Sequence, residues 1–343
     1  MRALLISLIL FFSTAALADE NILNVYAWSG VIPDFIIQQF EKETGIKVNF
    51  STYDSNETMY TKLRANPRAG YDIIEPSSYY IDRMRRQQML EPLDKKQLSH
   101  YKNINSLFLK THYDPEDKYS IPFIWGATGI AVNKSAFDPK TITRWSDLWK
   151  KIYLNQLMLL NDSREVFSVA LITLGRSINE TEPKQIKEAY QKLKELLPNV
   201  KLFNSDATIS ILIDEDATLG MAWNGDTFKA SLENPHLTFI YPKDGFVIWV
   251  DTFAIPRNAP HQTNAYRFLN FMLRADVAKK IALDNNYPTA NLAAQNLLPN
   301  SIKHNPIIYP SREVLKRGEF QRDMSDVALG VYEKYWEKLK MGS

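Results

Sequence analysis

The spacing of apolar residues in the amino-terminal stretch switches repeatedly between a strand-like and a helix-like period, and this alternation limits the possible folds more than any other feature. Ile22-Leu23-Asn24-Val25-Tyr26-Ala27-Trp28 reads as a buried strand. Pro33 to Thr44 follows with Phe35, Ile36 and Phe40 at helical spacing, and Gly45 ends the helix. Lys47 to Tyr53 alternates as a second strand. Ser55-Asn56-Glu57-Thr58 starts a helix that runs to about Ala65 and is closed by Pro67. Tyr71 to Ile74 is a third strand, and Tyr79 to Met89 a further helix. Such alternation predicts a mostly parallel sheet covered by helices, an α/β fold.

The pattern continues. Tyr119 to Asn133, Leu157 to Leu160, Val200 to Phe203, Leu219 to Trp223 and Val247 to Ile255 are rich in strand formers. Helical signals cover Trp145 to Lys151, Val166 to Leu174, Pro183 to Leu197, about Thr263 to Ala282 and about Met324 to Lys340. No internal repeat or low-complexity linker interrupts them. The chain is therefore expected to cross between lobes inside regular strands, leaving the lobes interleaved.

The first residues bear on compartment. Arg2 precedes an apolar run from Ala3 to Thr14, and Ala16-Leu17-Ala18 sets small residues before Asp19, the pattern of a cleaved secretory signal. The run is shorter than the ~20 residues of a spanning helix. Cleavage after Ala18, with residues 1–18 as signal peptide, is the expectation. The chain has no cysteine, which excludes disulfides, thiolate metal sites, a cysteine nucleophile and a lipidated amino-terminal cysteine. A formal net charge of +2 argues against nucleic-acid binding.

Three tryptophans share a setting. Trp28, Trp223 and Trp249 each read as lying near the end of an apolar strand and leading into polar residues. Ligands of open α/β sheets bind beyond the carboxyl ends of the strands, and gathered indoles suit a flat ring or a cation. For any one of them, a core position with a bonded N–H is the plainer reading. Asp251 follows Trp249 by two positions and so shares its strand face, an arrangement suited to an ammonium group; a surface-turn aspartate is the other reading. Asp162 and Glu165 lie at i, i+3 on a helix start, a spacing that also describes a capping box. Tyr79-Tyr80 opens a helix, with packing plus one functional hydroxyl expected. The acidic runs Asp114-Pro115-Glu116-Asp117 and Asp214-Glu215-Asp216 lack calcium-loop spacing and read as solvated turns. No histidine pair has metal-ligand spacing, and no nucleophile-elbow, zinc-protease, P-loop or dinucleotide fingerprint occurs. No cofactor or metal is expected.

Several stretches in shared order resemble the periplasmic spermidine/putrescine-binding proteins of ABC transporters, in particular the spermidine-preferring PotD type. They are Glu43 to Val48, Ser51 to Tyr60, Ile121 to Thr128, Arg164 to Phe167, Phe203 to Asp206, Leu219 to Gly225, Tyr287 to Ala294 and Gly318 to Gln321. The resemblance implies a two-lobed type II periplasmic binding protein without catalytic activity, closing on ligand by hinge motion. It implies one lobe of 19–126 and 250–295 and another of 127–249 and 296–343. Trp28, Tyr79, Trp223, Trp249 and Tyr287 then look like an aromatic box. Asp162, Glu165 and Asp251 look like the carboxylates that meet the amines, and Ser29, Ser77, Ser205 and Gln321 line the site. This moves Asp162 and Glu165 from cap to ligand contact, although the two roles can coexist. The pattern departs at Val31, where the PotD type has tyrosine, and at Ser29, usually threonine. The partners implied are a polyamine, an inner-membrane permease and its cytoplasmic ATPase, with the protein itself monomeric in the periplasm. A polyamine sensor docking on a membrane receptor is the alternative. A secreted glycoside hydrolase would need paired carboxylates at a set separation.

Overall fold

The computed structural model describes residues 21–53 and 55–342; the signal-peptide expectation lies outside them. In the first lobe β1 (Ile22–Trp28), β2 (Lys47–Tyr53) and β3 (Ile73–Ile74) form a parallel sheet in the order β2-β1-β3. Helix α1 (Asp34–Thr44) connects β1 to β2 and buries Ile36, Ile37 and Phe40. It stops at Gly45, whose φ of 69° suits glycine, and the Gly45 N–H closes on the Glu41 carbonyl. Ser55 caps α2 (Asn56–Ala65) by accepting the Thr58 N–H, and Ser77 precedes α3 (Ser78–Arg86). One face of this sheet packs with Phe253, Phe268 and Ile281, the other with Met59, Tyr80 and Met84.

The long strand β4 (Ile121–Asn133) is buried throughout. Its first half pairs antiparallel with nearly all of β9 (Phe246–Phe253), and its second half pairs with β7 (Leu219–Trp223) and β8 (Leu237–Ile240). With β5 (Leu157–Leu159), β6 (Val200–Phe203) and β10 (Gly318–Phe320), these strands build a sheet ordered β10-β9-β4-β7-β5-β6, with β8 on β4. The expected parallel pairing holds throughout the first-lobe sheet and for β10-β9, β7-β5 and β5-β6 of this one; the departure is confined to β4. β4 is antiparallel to all three of its neighbours, because the two strands that pass between lobes run in opposite directions. Beyond Trp249, β9 reaches back to the first lobe, where Asp251 bridges to Ser77 and Ala254 to Ile74.

The second lobe carries α4 (Ser163–Thr173), α5 (Pro183–Leu196), α6 (Thr208–Ile213), α7 (Asn224–Glu233) and helix Asp326–Lys340. Its core gathers Trp145, Phe167, Tyr332 and Trp336. Helices α8 (Gln262–Met272) and α9 (Ala275–Asn285) return to the first lobe, and α10 (Leu292–Leu297) packs on α9. The lobes are clasped at one edge. Arg83 of α3 pairs with Asp323 at 2.9 Å and donates to the Met324 carbonyl at 2.8 Å, and Arg86 pairs with the same aspartate.

The acidic run at 114–117 is not a solvated turn. Asp114 is buried, and its carboxylate accepts the N–H groups of Lys118, Tyr119 and Ser120, while Asp117 accepts from Lys110. A carboxylate so placed satisfies the backbone of a tight loop. Asp214, Glu215 and Asp216 are exposed.

Candidate functional site

β1 ends at Trp28, which is half-buried and tilted against the Tyr53 ring with centroids 4.8 Å apart. Its indole Nε1 is buried without a hydrogen-bond partner among the described residues. Ser29 lies at the exposed rim, held by its N–H to the Tyr53 carbonyl. Trp249 does not end a strand, contrary to expectation: β9 continues to Phe253 because this strand carries the chain between lobes. Its ring covers Gly126 so closely that a Cβ there would stand 2.2 Å from it. Tyr287 meets Trp249 edge-on at 5.4 Å, lies over Gly225, and donates its hydroxyl to Asp226. Glycine is required at 126 and 225 by these close approaches.

Asp251 shares the strand face of Trp249 and is buried. The Ser77 hydroxyl donates to it at 2.6 Å, and Asn56 in turn donates to Ser77 and to the Tyr79 hydroxyl. Burial raises the Asp251 carboxyl to about 7, with the Ser77 bond acting the other way. Asn56 thus links three of the expected residues through one amide.

At the other group of acids, Asp162 does cap α4, accepting the Glu165 N–H at 2.9 Å. Both carboxyls are raised by burial, and Glu165 is raised further by the charge of Asp162. Thr128 and Trp223 face the Glu165 carboxylate, yet its Oε2 has no hydrogen-bond partner among the described residues. Arg164 stands between the Tyr79 and Tyr332 rings, 5.9 and 5.7 Å from their centroids, and its charge favours ionisation of both acids. Glu57 of the first lobe also lies within the field of Asp162 and is raised by burial.

Two of the expected residues stand further from this network. The Ser205 hydroxyl accepts the Asn161 N–H at 2.9 Å and so fastens the loop before Asp162. Gln321 is buried with its Nε2 unpartnered among the described residues, next to Arg322, whose carbonyl receives the Arg164 guanidinium. Three residues beyond those expected emerge: Asn56, Asp226 and Glu75. Asp226 is raised to about 6 by burial, and it reads in sequence as an ordinary acid in a first helical turn. Glu75 is a charged residue in the apolar run Ile73-Ile74-Glu75-Pro76, a visible signal.

The arrangement is a set of buried carboxylates contributed by both lobes and walled by indole and phenol rings, with Arg164 the cation beside one group. Uncompensated buried acids of this kind favour a cation from outside. The chain belongs to the bacterial extracellular solute-binding protein family, which it matches over residues 36–310. It is similar to a spermidine/putrescine-binding periplasmic protein of Salmonella typhimurium, 46% identical over 98% of this chain and 96% of that protein. A putrescine-binding periplasmic protein of Escherichia coli is 32% identical, covering 95% and 93%. Among solved structures, one from Listeria monocytogenes named for a spermidine/putrescine ABC transporter superposes with a TM-score of 0.90 at 34% identity, covering 94% of this chain and all of that one. The substrate-binding protein PotD of Streptococcus pneumoniae gives 0.83 at 35% identity, covering 94% and 99%.

Proposed function

We propose that this protein captures a linear polyamine, spermidine or putrescine, in the cleft between its lobes and delivers it to an inner-membrane permease driven by a cytoplasmic ATPase. The observation that carries the reading is Asp251: a buried carboxylate that accepts from the Ser77 hydroxyl and has no salt-bridge partner among the described residues, on the same strand face as Trp249. An ammonium leaving water costs several kcal/mol, which a carboxylate and a π-face together offset. Acids at both ends of an aromatic-walled cleft would read a polyamine by the spacing of its charges. The names of the relatives support this reading, and the sensor alternative draws no support from them.

The ligand set we assign is Trp28, Ser29, Ser77, Tyr79, Asp162, Glu165, Ser205, Trp223, Trp249, Asp251, Tyr287 and Gln321. We further propose that the protein acts as a monomer in the periplasm after losing residues 1–18. The division into lobes falls within β4 after Gly126 and within β9 after Trp249. A third cut after Gln295 would split α10, which packs on α9, so we set it past Leu297.

Calorimetric titration with putrescine, spermidine, spermine, cadaverine and agmatine tests the reading. Micromolar or tighter binding, about −8 kcal/mol or better, is expected for at least one of them, with a change in tryptophan emission. No heat and no spectral change up to millimolar concentration, with any of the five, would sink it.

A further inference from the structure

Glu75 follows β3 at the carboxyl end of the first-lobe sheet, and nothing of it reaches solvent. One oxygen, Oε2, accepts the backbone N–H of Trp28 at 3.3 Å; the other, Oε1, has no partner among the described residues. The Tyr53 hydroxyl donates to the Glu75 backbone carbonyl and leaves the carboxylate alone. The titratable groups facing Glu75 are Asp251 on β9 and Tyr53 on β2. Neither is a cation, and the negative charge of Asp251 adds to burial in holding the Glu75 carboxyl well above the usual range. A buried acid without a cation is costly, and the bridges from Ile74 to Ala254 and from Ser77 to Asp251 flank Glu75 on either side, so it lies on the segment that runs alongside the strand bearing Asp251.

We propose that Glu75 is a second acid of the cation site, acting through Asp251, and that the two share one proton while the cleft is empty and release it when an ammonium group binds. The proposal rests on the polyamine reading and deepens it. The ammonium enters already protonated, the shared proton leaves to bulk water, and the pair passes from one negative charge to two. Two carboxyls in each other's field cannot both ionise cheaply until a cation arrives between or beside them. The consequence is a preference at this end of the cleft for a full positive charge, such as a terminal ammonium, over a neutral hydrogen-bonding group of the same size. Glu75 is thus a positioning residue for charge, out of direct reach of solvent.

The test uses Glu75→Gln, which keeps an oxygen acceptor for the Trp28 N–H. Putrescine and spermidine are titrated calorimetrically into both proteins near neutral pH, in buffers of different ionisation heat, to count protons released. Wild type should release more protons than the variant, and the variant should bind putrescine roughly tenfold more weakly. The ligand-free variant should also melt higher than wild type, because a buried acid has been replaced by an amide. A variant with the affinity and proton count of wild type overturns the proposal and leaves Glu75 a structural acceptor. A wild-type protein that binds neither amine overturns the polyamine reading itself, and this proposal with it.

Discussion

The two acidic ends of the cleft are built on opposite plans. Around Asp251 the neighbours are a serine hydroxyl and a second buried acid, with Trp249 on the same strand face and no salt-bridge partner among the described residues. Around Glu165 the acids sit at the start of α4, and Arg164 lies one residue away among phenol rings. One end has a lone acid pair and no cation beside it, whereas at the other Arg164 offsets only part of the burial and of the repulsion from Asp162, which still raise Glu165 to about 8. On the proposed reading, the difference means that a ligand's two ammonium groups would meet unequal receptors, one supplying the anchoring charge and the other reading position and length.

Substitutions probe that inequality most strongly at Asp251. We predict that Asp251→Asn weakens putrescine binding by about 3–5 kcal/mol, the cost of leaving a buried charge without its partner. Glu165→Gln should cost less, about 1.5–3 kcal/mol, the range of a hydrogen bond to a charged group. The control is Asp214→Asn, in an exposed turn, because Asp114 is buried and holds its own loop. Calorimetry on the three variants decides; equal losses at Asp251 and Glu165 would abolish the distinction between the ends.

Dependence on pH sharpens the same contrast. Asp251 is raised to about 7 and Asp226 to about 6, both by burial. An acid raised by folding binds more protons in the native than in the unfolded state between its two pKa values. Ligand-free stability from these groups therefore falls as pH rises from about 4 toward 7. Binding of an ammonium favours the ionised forms, so the ligand's contribution runs the other way. Affinity should be roughly tenfold or more lower at pH 5 than at pH 8, and the gain in melting temperature on adding putrescine should shrink with it. Affinity independent of pH across that range would mean that Asp251 does not ionise to meet the ammonium group.

A smaller effect is expected at the clasp between lobes. Asp323→Asn removes the charge that Arg83 and Arg86 share, lowering the closed population without touching ligand-binding residues. Putrescine affinity should drop about threefold to tenfold, with a larger radius of gyration in the ligand-free protein by X-ray scattering. Unchanged affinity and radius would mean that the clasp does not hold the cleft closed. The smallest effect concerns Val31, partly buried against the first-lobe core. Val31→Tyr adds a phenol worth about 0.5–1.5 kcal/mol per neutral hydrogen bond, and should raise the spermidine-to-putrescine affinity ratio. An unchanged ratio removes position 31 from the reading of ligand length.

Local pattern carried much of this into view. Strands β1, β2, β6 and β7 are bounded where alternation and flanking polar residues place them, since each packs an apolar face against its own lobe. The direction of β4 was not legible, because its residues are buried on both faces and carry no period. Asp114 misled for a related reason: a run of acids in a loop reads as solvated unless its backbone partners are known. The link between Asp226 and Tyr287 spans 61 positions, which no local spacing encodes. Asp162 and Glu165 were legible as a cap, and the hydrogen bond is present; their placement against Thr128 and Trp223 needed the fold. Glu75 stands in the sequence as a single acid at the end of a short apolar strand, with no second residue nearby to mark its partner.

The closeness of Trp249 to Gly126 has a mechanical side. The indole rests on the β4–β9 ribbon, and Asp251 lies two residues further along the same strand. On the proposed reading this ribbon is where the lobes would turn, so a guest that leans on the ring would load the pivot directly, and capture and closing would be one stroke of a single lever.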